Sequence, residues 1–158
     1  MWTTESTANS SARPETIWSL WSNVAEWNVW DESLVSSTLN TDFIVGNEGM
    51  LTPKGSPQSF GFRLTEVTPL KSFSDITELP GAILTFDHFL EVTPAGTRIT
   101  HRASISGDAW EGYAVRMGAD FQREIPHTIT KLARLAEAME PKLETTTQPE
   151  NTAPLETI

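Results

Sequence analysis

The sequence predicts an α+β fold in which a curved, seven-stranded antiparallel sheet wraps a long C-terminal helix. Three observations carry that reading. Ile83 to Ser106 has the pattern of one long hairpin, Leu34 to Glu78 breaks into short strand-like runs between Gly, Pro, Asn and Asp, and apolar residues recur at helical spacing between Gly112 and Met139. One strand and two short helices precede them.

Trp2 to Ser6 is β-compatible and bounded by Ala8-Asn9-Ser10, which makes it the first strand. Pro14 then opens a helix, because proline at the first helical position loses no needed N–H, and Ile17, Trp18, Leu20, Trp21 and Val24 recur at helical spacing behind it. Asn23 with Glu26 three residues on has the form of a capping box, ending that helix and starting a second short one. Trp27 and Trp30 follow. Two tryptophans at a helix–strand junction either fill the core or wall an apolar pocket.

The strands run Leu34 to Leu39, Gly49 to Thr52, Phe60 to Val67, Ser72 to Glu78, and then the long hairpin. Phe60, Phe62 and Leu64 share one face of their strand while Arg63 and Thr65 take the other. In Ser72 to Glu78, Phe73, Asp75 and Thr77 or Ser74 and Ile76 face inward, and the strand alone does not decide between them. Pro53-Lys54-Gly55-Ser56-Pro57 has the composition of a hairpin tip.

In the long hairpin the inward set is Leu84, Phe86, His88, Leu90 and Val92 on the first arm and Ile99, His101, Ala103 and Ile105 on the second, turning at Thr93-Pro94-Ala95-Gly96. If Val92 and Thr97 close the loop, Glu91 faces Arg98 and Asp87 faces Arg102. A slip of one residue would turn every side chain to the other face, so this charge matching supports the register independently. The same register sets His88 across from His101 on the apolar side. Facing imidazoles there either satisfy each other or a water within the core, or hold a ligand's carbonyl or hydroxyl. Either way desolvation and mutual proximity disfavour the charged forms, so both should be neutral at pH 7.

In the C-terminal helix, Met117, Phe121, Ile125, Thr128, Leu132, Leu135 and Met139 form an apolar stripe flanked by Arg116, Asp120, Arg123, Glu124, Lys131 and Arg134. Pro126 interrupts that stripe and predicts a kink or break. His127 is expected to face solvent without a role.

The 158 residues suffice for one domain with a sizeable core or an internal cavity, assigned to residues 1–140. Residues 141–158, rich in Thr, Glu, Pro and Gln, are expected to form a disordered acidic tail. A formal charge of −10 argues against nucleic-acid and anionic-membrane partners. No cysteine is present, which excludes disulfides and a thiol nucleophile. The opening Met1-Trp2-Thr3-Thr4-Glu5 lacks a signal-peptide pattern and no apolar run reaches membrane-spanning length, so a soluble, cytoplasmic protein is expected. There is no glycine-rich phosphate loop, no Gly-x-Ser-x-Gly and no His-Glu-x-x-His. With three histidines, the one conceivable metal site is His88 and His101 with Asp75; nothing else in the spacing asks for metal, and neither a metal nor another cofactor is expected.

With Ala12-Arg13-Pro14-Glu15-Thr16-Ile17-Trp18, Trp27-Asn28-Val29-Trp30-Asp31, Gly46-Asn47-Glu48-Gly49 and Gly96-Thr97-Arg98-Ile99-Thr100-His101-Arg102 in this element order, the chain resembles the SRPBCC superfamily. These are START-like, or birch-allergen-like, helix-grip proteins, and the nearest likeness is to the bacterial polyketide cyclase/dehydrase-like branch. The resemblance spans roughly Trp2 to Met139. It implies a deep apolar cavity between sheet and helix that takes a small hydrophobic ligand such as a lipid or polyketide. The expected lining is Trp27, Trp30, Phe60, Phe62, Leu84, Phe86, His88, Leu90, Ile99, His101, Ala103, Met117 and Phe121. A carrier or sensor, monomeric or weakly dimeric, is the leading expectation. The alternatives are a cyclase or dehydratase in which His88 or His101 moves a proton, and a protein-binding module of the chaperone-activator kind.

Overall fold

In a computed structural model, residues 1–141 are described, so the expected tail lies outside the described residues apart from Pro141. Strands β1 (Trp2–Ser10), β2 (Leu34–Leu39), β3 (Glu48–Pro53), β4 (Phe60–Thr68), β5 (Ser72–Leu79), β6 (Ala82–Thr93) and β7 (Gly96–Ser106) form one antiparallel sheet. Its order is β1-β7-β6-β5-β4-β3-β2, a meander closed at one edge by the first strand. Helices α1 (Pro14–Ser22) and α2 (Trp27–Trp30) follow β1, and α3 (Trp110–Met139) ends the fold.

β1 continues four residues beyond the expected Ser6, because it pairs with β7 along its whole length, from Trp2 opposite Ile105 to Ser10 opposite Thr97. A full ladder outweighs the weak strand preference of Ala8-Asn9-Ser10. Pro14 stands in the first turn of α1 as expected, with Ile17 and Trp21 buried. The capping box does not form. Asn23 makes no side-chain cap; a 3-10 turn at Val24–Glu26 joins the helices instead. Trp27 and Trp30 themselves make up the ends of α2. The junction is tied from elsewhere: Trp27 Nε1 donates to the Trp21 carbonyl (2.8 Å) and Ser37 Oγ to the Val24 carbonyl (2.6 Å).

The β6–β7 register is the expected one. Val92 pairs with Thr97, Glu91 with Arg98, His88 with His101 and Asp87 with Arg102. Arg98 meets Glu91 at 2.8 Å, whereas Arg102 lies 3.8 Å from Asp87 and closer, 3.0 Å, to Glu5 on β1. Val92 breaks the inward pattern: at the hairpin tip it is 72% exposed. On β5 the open choice resolves to Phe73, Asp75 and Thr77 inward.

α3 runs unbroken through Pro126. Pro126 and Gln122, whose carbonyl loses its partner, both lie on the exposed side, so solvent can take the freed acceptor and the helix need not break. The buried line is Gly118, Thr128, Ile129, Leu132, Ala133 and Ala136, rotated slightly toward small residues relative to the expected stripe. Met139, at the end, is 48% exposed. Small side chains bring the C-terminal half of α3 close to the sheet edge, where Ser10 Oγ donates to the Ala133 carbonyl (3.1 Å). Gly118 does the same for the N-terminal half. A Cβ there would stand 3.1 Å from the Trp2 ring.

The core divides accordingly. A large cluster joins Ile17, Trp21, Trp27, Trp30, Phe73, Ile99 and Leu132, and a smaller one groups Ala82, Leu84 and Ile105 with half-buried Trp2, Phe86, Met117 and Phe121.

Candidate functional site

Between the two clusters lies a cavity of about 800 Å³, bounded by the concave face of the sheet, α2 and the middle of α3. Its walls are mostly apolar. β6 supplies Leu84 and Phe86, β4 supplies Phe60, α2 supplies Trp27 and Trp30, and α3 supplies Met117, Phe121 and Ile125. Strand alternation delivers alternate side chains to one face, and α3 returns to that face every third or fourth residue.

At the inner end are His88 and His101, their ring centroids 4.7 Å apart and nearly perpendicular. His88 stacks on Phe73 at 3.8 Å, and its Nδ1 lies 3.1 Å from the Phe73 carbonyl. A carbonyl only accepts, so Nδ1 carries the proton and Nε2 is left as an acceptor. His101 Nε2 is buried with no hydrogen-bond partner. Trp21 lies against both rings, with centroids 5.7 and 5.8 Å away, and closes the cavity off from the solid core. Burial pushes the His88 imidazole down to about 3, and burial with the neighbouring His88 pushes His101 well below its ordinary value, so both are neutral at pH 7.

Asp75 and Thr77 lie beside the histidines on β5. Asp75 is 2% exposed, faces the cavity and has no hydrogen-bond partner among the described residues. Burial, with a smaller contribution from Asp87, raises its carboxyl to about 8, making it a protonated acid at neutral pH. Thr77 Oγ1 is buried and unpartnered as well.

The mouth is charged and mostly paired. Glu32 accepts from Lys131 (2.7 Å) and His127 (2.9 Å), which hold its carboxyl down at about 2 and clasp α3 to the loop after α2. His127 is therefore exposed, as expected, yet carries a contact. Asp31 accepts from Ser33 and Thr128, but burial outweighs those bonds and raises its carboxyl. Among the described residues no three His, Cys, Asp or Glu side chains are grouped to hold a metal ion.

Of the residues expected to line a cavity, Trp27, Trp30, Phe60, Leu84, Phe86, His88, His101, Met117 and Phe121 do line this one. The other four do not. Leu90 and Ile99 lie beyond the Trp21 plug in the packed cluster, Phe62 is covered by Trp27 with ring centroids 5.5 Å apart, and Ala103 is buried opposite the much larger Phe86. The reading that started from His88 and His101 also missed Asp75 as an acid, together with Thr77, Thr128 and Asp31.

A seven-stranded curved sheet closed over a long C-terminal helix, with two short helices after the first strand, is a helix-grip architecture. Solved structures agree. Protein MLL2253 from Mesorhizobium loti is similar with a TM-score of 0.69 at 18% identity, over 89% of this chain and 100% of that one. Ara h 8.0201 gives 0.67 at 10% identity over 87% and 98%. The di-domain ARO/CYC StfQ from the steffimycin biosynthetic pathway gives 0.70 at 10% identity, over 86% of this chain and 50% of that larger one. At these identities the likeness speaks for the fold alone. No protein-family model matches the chain, and no curated protein sequence does.

Proposed function

We propose that this protein binds a small hydrophobic molecule, lipid-, polyketide- or aromatic-like, in the cavity between the sheet and α3. The observation that carries the reading is a mostly apolar cavity of about 800 Å³, large enough for a drug-sized ligand, that keeps a few polar side chains, Asp75, His88 and His101 among them, at its inner end. Such groups are costly to bury unless something pairs with them, and a ligand's polar end can. The test is native mass spectrometry of the protein purified from its own host, joined to displacement of a neutral apolar dye. Replacing Leu84 by Trp should narrow the cavity and weaken dye binding while the fold persists; unchanged dye binding would place the ligand elsewhere.

One observation favours a second reading, a cyclase- or dehydratase-type enzyme. A protonated Asp75 faces the same apolar space as the acceptor Nε2 of His88, and a general acid poised near neutral pH beside a substrate carbonyl is what enolisation or loss of water draws on. Quantitative binding of a poly-β-ketone without conversion, by wild-type and His88→Phe protein alike, would leave the carrier reading in place. No described helix is long and apolar enough to cross a membrane, and we place the cysteine-free chain in a reducing cytoplasm.

A further inference from the structure

We propose that Asp75 selects the ligand's polar end, donating a hydrogen bond to the carbonyl oxygen of an uncharged apolar molecule and turning away the matching carboxylate. The proposal rests on the cavity-binding reading and goes beyond it by assigning a head group and the residue that recognises it.

The geometry comes first. Asp75 is centrally placed on β5, between Leu64 of β4 and Phe86 of β6, so its carboxyl is enclosed by apolar side chains except where it meets the cavity. Among the described residues it has neither a cation nor a hydrogen-bond donor as partner. The nearest carboxylate, Asp87, points to the opposite face of the sheet, where Ser74 Oγ donates to it at 2.6 Å. On the cavity side the titratable neighbours are the neutral His88 and His101 at the inner end, Asp31 and Glu32 after α2, and Asp120, Glu124 and His127 on α3. The cations on the lining are spoken for or distant: Arg123 is held by Asp120 at 2.7 Å, Arg102 by Glu5 at 3.0 Å, and Lys54 is an exposed residue of the β3–β4 turn.

This arrangement sorts ligands by charge. A carboxylate entering the cavity would lose its hydration among Asp31, Asp75, Asp120 and Glu124 with no buried cation to receive it. A carbonyl oxygen needs only a donor. Raised to about 8, the Asp75 carboxyl supplies one at neutral pH. Ketosteroid isomerase is the general precedent for a carboxylic acid kept neutral by an apolar site so that it can donate. An ammonium would have to ionise Asp75 and then desolvate with it, and a buried ion pair roughly breaks even.

The experiment is competition against N-phenyl-1-naphthylamine, a neutral dye, using one skeleton with four ends: 2-ethylnaphthalene, 2-acetylnaphthalene, 2-naphthoate and 2-(aminomethyl)naphthalene. At pH 7 the ketone should bind about fivefold to tenfold tighter than the ethyl compound, as one hydrogen bond predicts, and the carboxylate at least about tenfold weaker than the ketone. Asp75→Asn keeps a neutral donor and should keep the ketone preference; Asp75→Leu should erase it while the ethyl compound still binds. In the wild type the preference should decline as pH rises through about 8, and in Asp75→Asn it should stay flat, which separates Asp75 from Asp31 and Glu124. A ketone preference that survives Asp75→Leu, a carboxylate that matches the ketone, or an amine that beats it would each overturn the assignment while leaving the cavity reading intact. Failure of the dye and the ethyl compound to bind at all would overturn the cavity reading itself.

Discussion

The two halves of α3 do different things with the same helical repeat. From Thr128 to Ala136 the helix sets Ile129, Leu132, Ala133 and Ala136 into a packed cluster with Ile17, Trp21 and Phe73, all close to fully buried. From Trp110 to Ile125 its inward apolar residues, Tyr113, Met117 and Phe121 among them, are only half-buried, and the space beneath Met117, Phe121 and Ile125 is the cavity. One half is a clamp and the other a roof. The difference comes from what stands below: Trp21 is wedged under the clamp against both histidines, while under the roof Trp2 meets only the line of Gly118 and Phe121 and leaves the space beneath Met117, Phe121 and Ile125 open. A long amphipathic helix thus says little about which of its turns are filled.

The comparison breaks most readily at Leu132. Leu132→Ala should cost about 3–5 kcal/mol in denaturant unfolding, as for any fully enclosed leucine, whereas Phe121→Ala should cost about 3 kcal/mol or less because its site is already hollow. Equal costs would erase the distinction between clamp and roof. Weakened dye binding in Phe121→Ala alone would sharpen it.

The cavity's titratable groups give the next largest effect. His88 and His101 are depressed in the fold, so the unfolded chain binds protons more readily and the histidine contribution is lost as pH falls below about 6.5 toward the folded values. Asp75 is raised, so its contribution is complete below its ordinary value of 3.8 and is lost as pH rises toward about 8. Together they place the local optimum near pH 6.5. Stability should fall by about 2 kcal/mol from pH 6.5 to 8 because of Asp75, and Asp75→Asn should remove that fall. His101→Phe should instead reduce the acid-side loss. Unfolding free energies measured from pH 4 to 9 for the three proteins decide it; identical profiles would mean that none of these groups is buried as described.

The smallest expected effect is on the far face of the sheet. Arg98→Ala removes an exposed ion pair with Glu91 and should change stability by less than about 1 kcal/mol, fading further at high salt. A larger loss would mean that this pair, and not the buried face, holds the β6–β7 register.

How far the site was legible depends on the length scale over which it is fixed. The β6–β7 pairing was readable because charges and apolar residues both repeat every second residue, and two independent patterns agreed. The inward face of β5 was readable too, though only by carrying that register across Leu79-Pro80-Gly81-Ala82: this tight turn sets Thr77 opposite Leu84, Asp75 opposite Phe86 and Phe73 opposite His88. Residues opposite each other in an antiparallel pair share a face, so Asp75 was available to the argument. What the pattern could not supply was the depth of the cavity. Leu90 and Ile99 have the same parity as His88 and His101 but fall behind Trp21, whose position depends on how α1 settles on the sheet. Pro126 misled for a related reason, since whether a proline breaks a helix depends on which side the freed carbonyl faces.

The contact between Gly118 and the Trp2 ring makes the roof height a matter of one atom. Adding a methyl group at residue 118 would favour the helix by up to about 1 kcal/mol through backbone entropy, yet the ring 3.1 Å away would have to yield by a few tenths of an ångström. The glycine therefore works as a shim of zero thickness. Lineages exchanging it for alanine or serine would jack up the front of α3 and leave the clamp untouched, so the size of molecule admitted could drift in small steps while the chain's ability to fold stays where it is.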